Sequence, residues 1–276
     1  MKKFIRTNRT GASKWRLWAT TIIVLAVHAT TAHAVILTPH RAAYQVQLVE
    51  PRGQLTSAAG LMTIESARVC KGWSVITTLR MKYQYSDGTM ADTEVTFSSV
   101  ENRMLYQFSL VELINGVTAR QVRGNAVLTE RGGDGVAHFK LPEQRDEFLP
   151  RGTLFPMAHL LDAMISAEYG KKRIGRFMFD ITRGDNSLFE VTTLVPNGVR
   201  PHDDGPGTGL DALTERPWWL FRMAFYSQRS RGQEPSYQVT SNIQDNGVVR
   251  AYMIEDGNMA LKFTLSAIEP LPPPQC

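Results

Sequence analysis

The chain has 276 residues, of which 31 are basic and 26 acidic, so its formal charge is +5 and its pI is near 9.3. Six of the basic residues and no acidic residue precede Val35, which leaves residues 35–276 with a formal charge of −1. The high pI therefore belongs to the N-terminal segment and gives no support for nucleic-acid binding.

That N-terminal segment has the three parts of a secretory signal peptide. Basic residues between Lys2 and Arg16 precede an apolar run from Leu17 to Val27, and Ala32-His33-Ala34 matches an A-x-A cleavage site. The apolar run is shorter than the roughly 20 residues that a membrane-spanning helix needs. We predict cleavage after Ala34 and an exported protein that is not an integral membrane protein.

The only two cysteines are Cys70 and Cys276, and Cys276 is the last residue. An exported chain meets an oxidising compartment, where two cysteines commonly form a disulfide. We predict a Cys70–Cys276 bond that ties the C-terminal end to a point early in the mature chain. Residues 35–276 are numerous enough to build a hydrophobic core, so the bond would reinforce the fold rather than create it.

Alternation of apolar and polar residues predicts β-strands along most of the mature chain, because successive side chains of a strand point to opposite faces. The pattern is clear in Tyr44–Leu48 and in Val75–Tyr85. It recurs over residues 104–114, 136–141 and 189–195.

One segment is predicted to be helical, and another fits either period. The helix is indicated by apolar residues at i, i+3, i+4, i+7 and i+8, which are Met157, Leu160, Leu161, Met164 and Ile165. Pro156 suits its first turn, and Gly170 suits the position after its end. The apolar residues of 218–226 satisfy both the strand and the helix period.

The C-terminal region predicts an antiparallel meander of three strands, over residues 237–243, 248–254 and 259–268. Asn246-Gly247 suits a type I′ hairpin turn, which needs positive φ at both central residues, and residues 256–258 suit a second turn. The prolines between Pro270 and Pro274 would then carry the chain in extended form to Cys276.

Two motifs within residues 202–209 resemble ligand-binding sites, but the sequence pattern of neither motif supports binding. Gly205 to Gly209 resembles a nucleotide-binding loop but lacks the Walker lysine, so we interpret it as a plain loop whose role stays open. His202, Asp203 and Asp204 could hold a cation in that loop, although solvated turn residues are the better interpretation. No metal site, no cofactor and no catalytic residue is predicted.

His159 lies three residues before Asp162 on the predicted helix, so the two could form an acid–base pair. No nucleophile motif accompanies them, and we predict a structural role for both. His138 alternates with Lys140 and is expected on the outward face of a strand.

A basic cluster and an aromatic cluster are the other candidates. The basic cluster after the helix consists of Lys171, Lys172, Arg173 and Arg176, and it could contact a phosphate-bearing lipid or glycan. A solvated helix end is the better interpretation. The aromatic cluster consists of Trp218, Trp219, Phe221, Phe225 and Tyr226; it could line an apolar groove, but we expect ordinary core.

Three stretches resemble the EipB-type cell-envelope integrity proteins of Gram-negative bacteria. The first is LPRGTLFPMAHLL at residues 149–161, and the second runs from Pro235-Ser236-Tyr237 through Asn246-Gly247-Val248 to Leu271-Pro272 and Cys276. The third is Cys70 followed by Gly72-Trp73. The chain departs from the pattern at Ile181, where glycine is expected, and at Gly257, where an aromatic residue is expected.

The resemblance implies a periplasmic protein that is mainly β, with residues 35–276 forming one antiparallel β-spiral like an incompletely closed barrel and at least one packed α-helix. It also implies the Cys70–Cys276 disulfide, no established enzymatic activity, and a link to a periplasmic tetratricopeptide-repeat protein. We expect a non-enzymatic envelope-integrity factor that binds such a protein or an envelope lipid or peptidoglycan component. The alternatives are a carrier of acyl-chain or lipoprotein ligands and a hydrolase of cell-wall or lipid substrates.

Overall fold

The computed structural model describes residues 35–183, 187–200, 211–228 and 234–276, with the backbone alone for residues 211 and 212. Residues Ala34–Cys276 form one compact unit. Within the described ranges, one continuous sheet contains fifteen strands and is accompanied by two helices. The chain is thus mainly β, as the alternating sequence pattern predicts.

The bounds of the elements follow in chain order. The first eight strands are β1 (His40–Pro51), β2 (Leu55–Val69), β3 (Gly72–Tyr85), β4 (Met90–Glu101), β5 (Leu105–Ile114), β6 (Val117–Leu128), β7 (Gly135–Leu141) and β8 (Arg145–Leu149). The remaining elements are β9 (Thr153–Leu154), α1 (Pro156–Glu168), β10 (Arg173–Phe179), β11 (Leu188–Leu194), α2 (Asp211–Thr214), β12 (Trp218–Ser227), β13 (Tyr237–Gln244), β14 (Val249–Glu255) and β15 (Met259–Pro270). The ambiguous segment 218–226 is therefore a strand.

The sheet is almost a closed ring with a single seam. Every strand pairs with its sequence neighbour except across the seam, and β1 pairs along its whole length with β15. The two free edges are β8 and β9, which only residues 150–152 separate in the chain. All pairs are antiparallel except β9 with β10. The incompletely closed antiparallel barrel with a packed helix, which the family resemblance implies, is confirmed.

Successive turns of an antiparallel sheet lie at opposite ends of its strands, so each turn can be assigned to one of the two ends of the barrel. The end that holds the turns after β2, β4 and β6 also holds α1, and we call it the helix end. The opposite end holds the turns after β1, β3, β5, β7 and β14, and we call it the mouth end. The charged turn residues and the candidate site differ between these two ends.

Helix α1 packs across the helix end of the barrel. Its buried face consists of His159, Ala163, Met164, Ser166 and Ala167. It packs in one cluster with side chains near the strand ends, among them Trp73, Trp219 and Ile243. Pro156 stands in the first turn and Gly170 has a φ of +74°, as predicted. Ile165, predicted to face the core, is instead 39% exposed, because the buried face is centred on Ala163.

The core bridges the seam although backbone hydrogen bonds do not. Phe155 follows β9 directly and is 1% exposed. Its ring stacks on that of Tyr106 in β5, with centroids 5.2 Å apart, and Phe179 at the end of β10 meets Tyr106 edge-on at 6.1 Å. Aromatic burial therefore holds together the two halves of the chain that meet at the seam.

The structure corrects the turn predicted at Asn246-Gly247. Gly247 has a φ of +83°, but Asn246 does not have positive φ, so the turn is not type I′. The side chain of Asn246 is buried; it accepts from the amide of Val248 at 3.1 Å and donates to the carbonyl of Leu213 at 3.1 Å. The two positive φ values occur instead at Asn115 (51°) and Gly116 (77°), between β5 and β6.

A disulfide joins Cys70, in the turn between β2 and β3, to Cys276, with their Cα atoms 5.7 Å apart. The end of β15 lies beside the start of β1, because Pro270 is opposite His40. His40 in turn is opposite Ser66 of β2. The last six residues therefore cross β1 along the helix end, and the disulfide fixes that crossing.

Candidate ligand site at the mouth of the barrel

Aromatic and charged side chains converge inside the mouth end of the barrel. Tyr83 and Tyr85 occupy inward positions at the end of β3, and both are half-buried. Burial raises the pKa of Tyr83, with further contributions from Tyr85, Glu112 and Asp256, while Arg183 opposes the shift. Groups from four parts of the chain thus lie close enough to influence the pKa of Tyr83.

Arg183 is at the centre of this group. Its guanidinium lies 3.8 Å from the carboxylate of Asp256 in the β14–β15 turn. It also lies over the ring of Tyr237 in β13, 4.8 Å from the centroid. This ion pair is long, and the Arg183 side chain is 34% exposed. An arginine in such a position can meet an incoming anionic or aromatic group without leaving its tyrosine.

The described residues between β10 and β11 contact strands β6 and β8 on the other side of the seam. Arg120 of β6 forms an ion pair with Glu112 at 3.0 Å and donates to the carbonyl of Thr182 at 3.3 Å. On the seam side, the hydroxyl of Ser187 donates to Glu147 of β8 at 2.7 Å. These contacts fix Thr182 and Ser187 against the other half of the barrel, and Arg183 directly follows Thr182.

Asp180 starts this connection and anchors it. Its carboxylate accepts from the amide and the hydroxyl of Thr182, both at 2.9 Å. Burial raises the pKa of Asp180, although the two bonds from Thr182 lower it. Ile181, where the family pattern has glycine, is 1% exposed and packs in the core, so the departure adds an apolar anchor.

The structure does not make an acid–base pair of His159 and Asp162. Burial lowers the pKa of His159 to about 4, so the imidazole is neutral at neutral pH. Asp162 instead forms an ion pair with Arg176, at 2.9 Å between Nε and Oδ2. His138 lies on the outer face as expected, with its Nδ1 2.7 Å from Asp146. The structural role predicted for His159 and Asp162 stays a prediction.

The other candidates fall in different places. Trp218, Trp219, Phe221 and Phe225 are buried, and Tyr226 is half-buried, so this aromatic cluster contributes to the core. His202, Asp203, Asp204 and the glycine loop at residues 205–209 lie outside the described residues. Among the described residues, no three His, Cys, Asp or Glu side chains are grouped as metal ligands.

The residues at the mouth are not among the sequence-based predictions, although the sequence contains a pattern that indicates polar groups inside the barrel. Glu112, Arg120, Arg145 and Glu147 are charged residues at inward positions of otherwise regular strands. Charged side chains are rarely buried unless they are paired, so breaks of this kind in the alternating pattern indicate polar groups inside a barrel.

The helices of the described residues include none that is long and apolar enough to cross a membrane. The EipB-like family model matches residues 31–272. The cell envelope integrity protein EipB of Brucella abortus (strain 2308) is 23% identical over 250 residues, which cover 87% of each chain.

A solved structure of a β-barrel-like protein from Brucella abortus, described as a domain of unknown function, superimposes with a TM-score of 0.79. It is 20% identical in sequence, and the match covers 87% of this chain and all of the other. The fold is therefore shared along most of this chain. Because the family model spans nearly all of residues 35–276, the chain belongs to the EipB-like family.

Proposed function

We propose that this protein is a periplasmic factor that maintains cell-envelope integrity by binding, through the mouth of its barrel, and not by catalysis. The observation that carries the proposal is the convergence of Tyr83, Tyr85, Arg183 and Tyr237 at one end of an otherwise filled barrel. Barrel mouths with a few polar groups among aromatic side chains are common ligand sites.

Three further observations support the envelope setting. The curated relative has the name cell envelope integrity protein, the N-terminal segment has the pattern of an export signal, and a disulfide suits an oxidising compartment. The proposed ligand is a segment of a periplasmic protein, such as one built of tetratricopeptide repeats, or an envelope component. The half-buried apolar side chains near Tyr83, among them Leu48, Leu79 and Ile254, keep an acyl-chain carrier as the second candidate.

Deleting the gene is expected to sensitise cells to detergent and to β-lactams while growth in rich medium stays close to that of the parent strain. Dilution plating on both agents measures the effect. The exported protein should restore resistance, and a version without residues 1–34 should not, because it stays in the reducing cytoplasm without its disulfide. Parental tolerance of both agents in the deletion strain would contradict the envelope role.

The mouth can be tested with two matched arginine variants. Arg183→Gln removes a guanidinium from the interior, whereas Arg80→Gln removes one from the outer face of β3, where Arg80 pairs with Glu94 at 3.2 Å. Both variants should fold, because each loses a solvent-accessible ion pair worth at most about 1 kcal/mol. Arg183→Gln is expected to fail to complement the deletion, and Arg80→Gln to complement it fully. Equal complementation by both would move the binding site away from the mouth.

A further inference from the structure

The described turns at the two ends of the barrel differ in the sign of most of their unpaired charges. At the helix end, the turns and the start of β10 carry Lys71, Arg103, Arg131, Lys171, Lys172 and Arg173. At the mouth end, the turns after β3, β7 and β14 carry Asp87, Glu143 and Asp256, and Glu234 precedes β13. Arg52 and Arg183 also lie at the mouth end, but they are paired with Glu50 and Asp256, so the unpaired charges of the described turns are mainly basic at the helix end and acidic at the mouth end.

The basic side chains of the helix end are available to a partner. All six are exposed, and none of them has an ion-pair partner among the described residues. Other arginines of this end are already paired, among them Arg151 with Glu130 at 3.1 Å, Arg176 with Asp162 at 2.9 Å, and Arg216 with Asp245. Those pairs also neutralise acidic residues at this end, while Asp134, Glu168 and Glu215 stay exposed.

The spacing of these charges suits an extended surface rather than one small anion. Lys71, Arg103 and Arg131 belong to the turns after β2, β4 and β6, and successive turns at one end are two strands apart, or about 10 Å. A single phosphate or carboxylate is bound by donors that converge within hydrogen-bond reach. Charges spread along a rim match a surface that presents many anions.

Exposed apolar side chains accompany the basic ones. Met104 follows Arg103 in the same turn and is 47% exposed. At the other side of the seam, Tyr169 at the end of α1 is 77% exposed and precedes Lys171. Basic residues beside exposed tyrosine and aliphatic side chains are typical of proteins that bind at the headgroup region of a bilayer.

We propose that the helix end docks on the surface of a membrane that contains anionic phospholipid, with the acidic mouth end directed away from it. The proposal rests on the exported location given under the proposed function, but it uses a different face of the molecule. Each lysine or arginine near an anionic bilayer contributes about fivefold in affinity. Repulsion of the mouth-end carboxylates sets the orientation.

The test is sedimentation of the protein, purified in its exported form, with vesicles of phosphatidylethanolamine and phosphatidylglycerol in equal parts. Binding is expected at low salt, with loss at high salt and with neutral phosphatidylcholine vesicles. Lys171→Gln/Lys172→Gln should weaken binding roughly 20-fold or more. The matched control, Lys82→Gln/Lys262→Gln, removes two exposed strand lysines and should bind nearly as well as the wild type.

Circular dichroism and thermal melting establish that both double variants are folded. No sedimentation with the anionic vesicles, equal weakening by the two double variants, or binding to purified peptidoglycan in place of vesicles would each overturn the proposal. These outcomes are separate from the envelope phenotype of the deletion strain. The phenotype can therefore stand if vesicle binding fails, and vesicle binding can stand if the phenotype is absent.

Discussion

Replacing Cys276 with serine is expected to lower the free energy of unfolding by up to about 5 kcal/mol. The disulfide spans 206 residues of sequence, and closing so long a loop removes much of the entropy of the unfolded chain. The folded barrel should persist, because β1 and β15 pair along their length without help from the bond. Urea titration followed by circular dichroism measures the loss.

The control for this result is the partner cysteine. Cys70→Ser should cost the same as Cys276→Ser, and the double variant should cost no more than either single one, because all three remove one and the same bond. Wild-type protein with reductant should match them. A double variant clearly less stable than both singles would mean that the serines disturb the fold locally and that the loop-closure account is wrong.

Glu101→Gln is expected to change how stability depends on pH, because Glu101 is a buried carboxyl that caps a helix from another strand. Phe155, at the N-cap of α1, supplies no side-chain bond to the first amides. Glu101 of β4 accepts from the amides of Met157 at 3.0 Å and Ala158 at 2.7 Å. Burial nevertheless raises the pKa of Glu101 to about 7, with the two amide bonds opposing the shift.

The sign of the effect follows from the raised pKa. The folded state holds the Glu101 proton more tightly than the unfolded state, so the contribution of Glu101 to stability falls as pH rises from about 4.5 to about 7. At about 1.4 kcal/mol for each pH unit, the total is about 3 kcal/mol. Glutamine does not titrate, so the stability of Glu101→Gln relative to the wild type should increase by about that much as pH rises across this window.

His159 is expected to produce the opposite slope. Its pKa is lowered to about 4 by burial, so its contribution is complete above about 6.5 and is lost as pH falls toward 4. The two slopes nearly cancel between pH 4.5 and 6.5 in the wild type. The free energy of unfolding of Glu101→Gln should therefore rise with pH over this range, and that of His159→Gln should fall with pH.

Urea titrations at several pH values compare the wild type, each single variant and Glu101→Gln/His159→Gln. The double variant should again show little change over the shared window. A Glu101→Gln profile parallel to that of the wild type would show that folding does not shift the pKa of Glu101, which would contradict this account.

The sequence predicts those parts of the fold that depend on local pattern. Strands β3, β13, β14 and β15 alternate regularly and were predicted close to their observed bounds. Strand β2 was missed, because its small residues, such as Ala58, Ala59 and Gly60, give little contrast between the two faces. The Asn-Gly rule holds at Asn115-Gly116, where the asparagine is exposed, and fails at Asn246, whose buried side chain donates to the carbonyl of Leu213.

The mouth could not be predicted in the same way. Tyr83, Arg183 and Tyr237 come from distant parts of the chain and meet only because the ring closes through the pairing of β1 with β15. The position of the seam also depends on distant parts of the chain. Only three residues separate β8 from β9, so a prediction from the local sequence would pair these two strands. Aromatic packing of Phe155 on Tyr106, rather than the short connection, decides where these strands lie.

The disulfide and the backbone together make a covalent macrocycle that contains the seam. From Cys70 to Cys276 the chain is a closed loop, and residues 150–152 lie on it. A protease that cuts beside the exposed Arg151 would therefore open the loop without releasing a fragment, and the two pieces would separate only after reduction. Cleavage of the connection between β8 and β9 would thus leave the molecule in a single covalent piece.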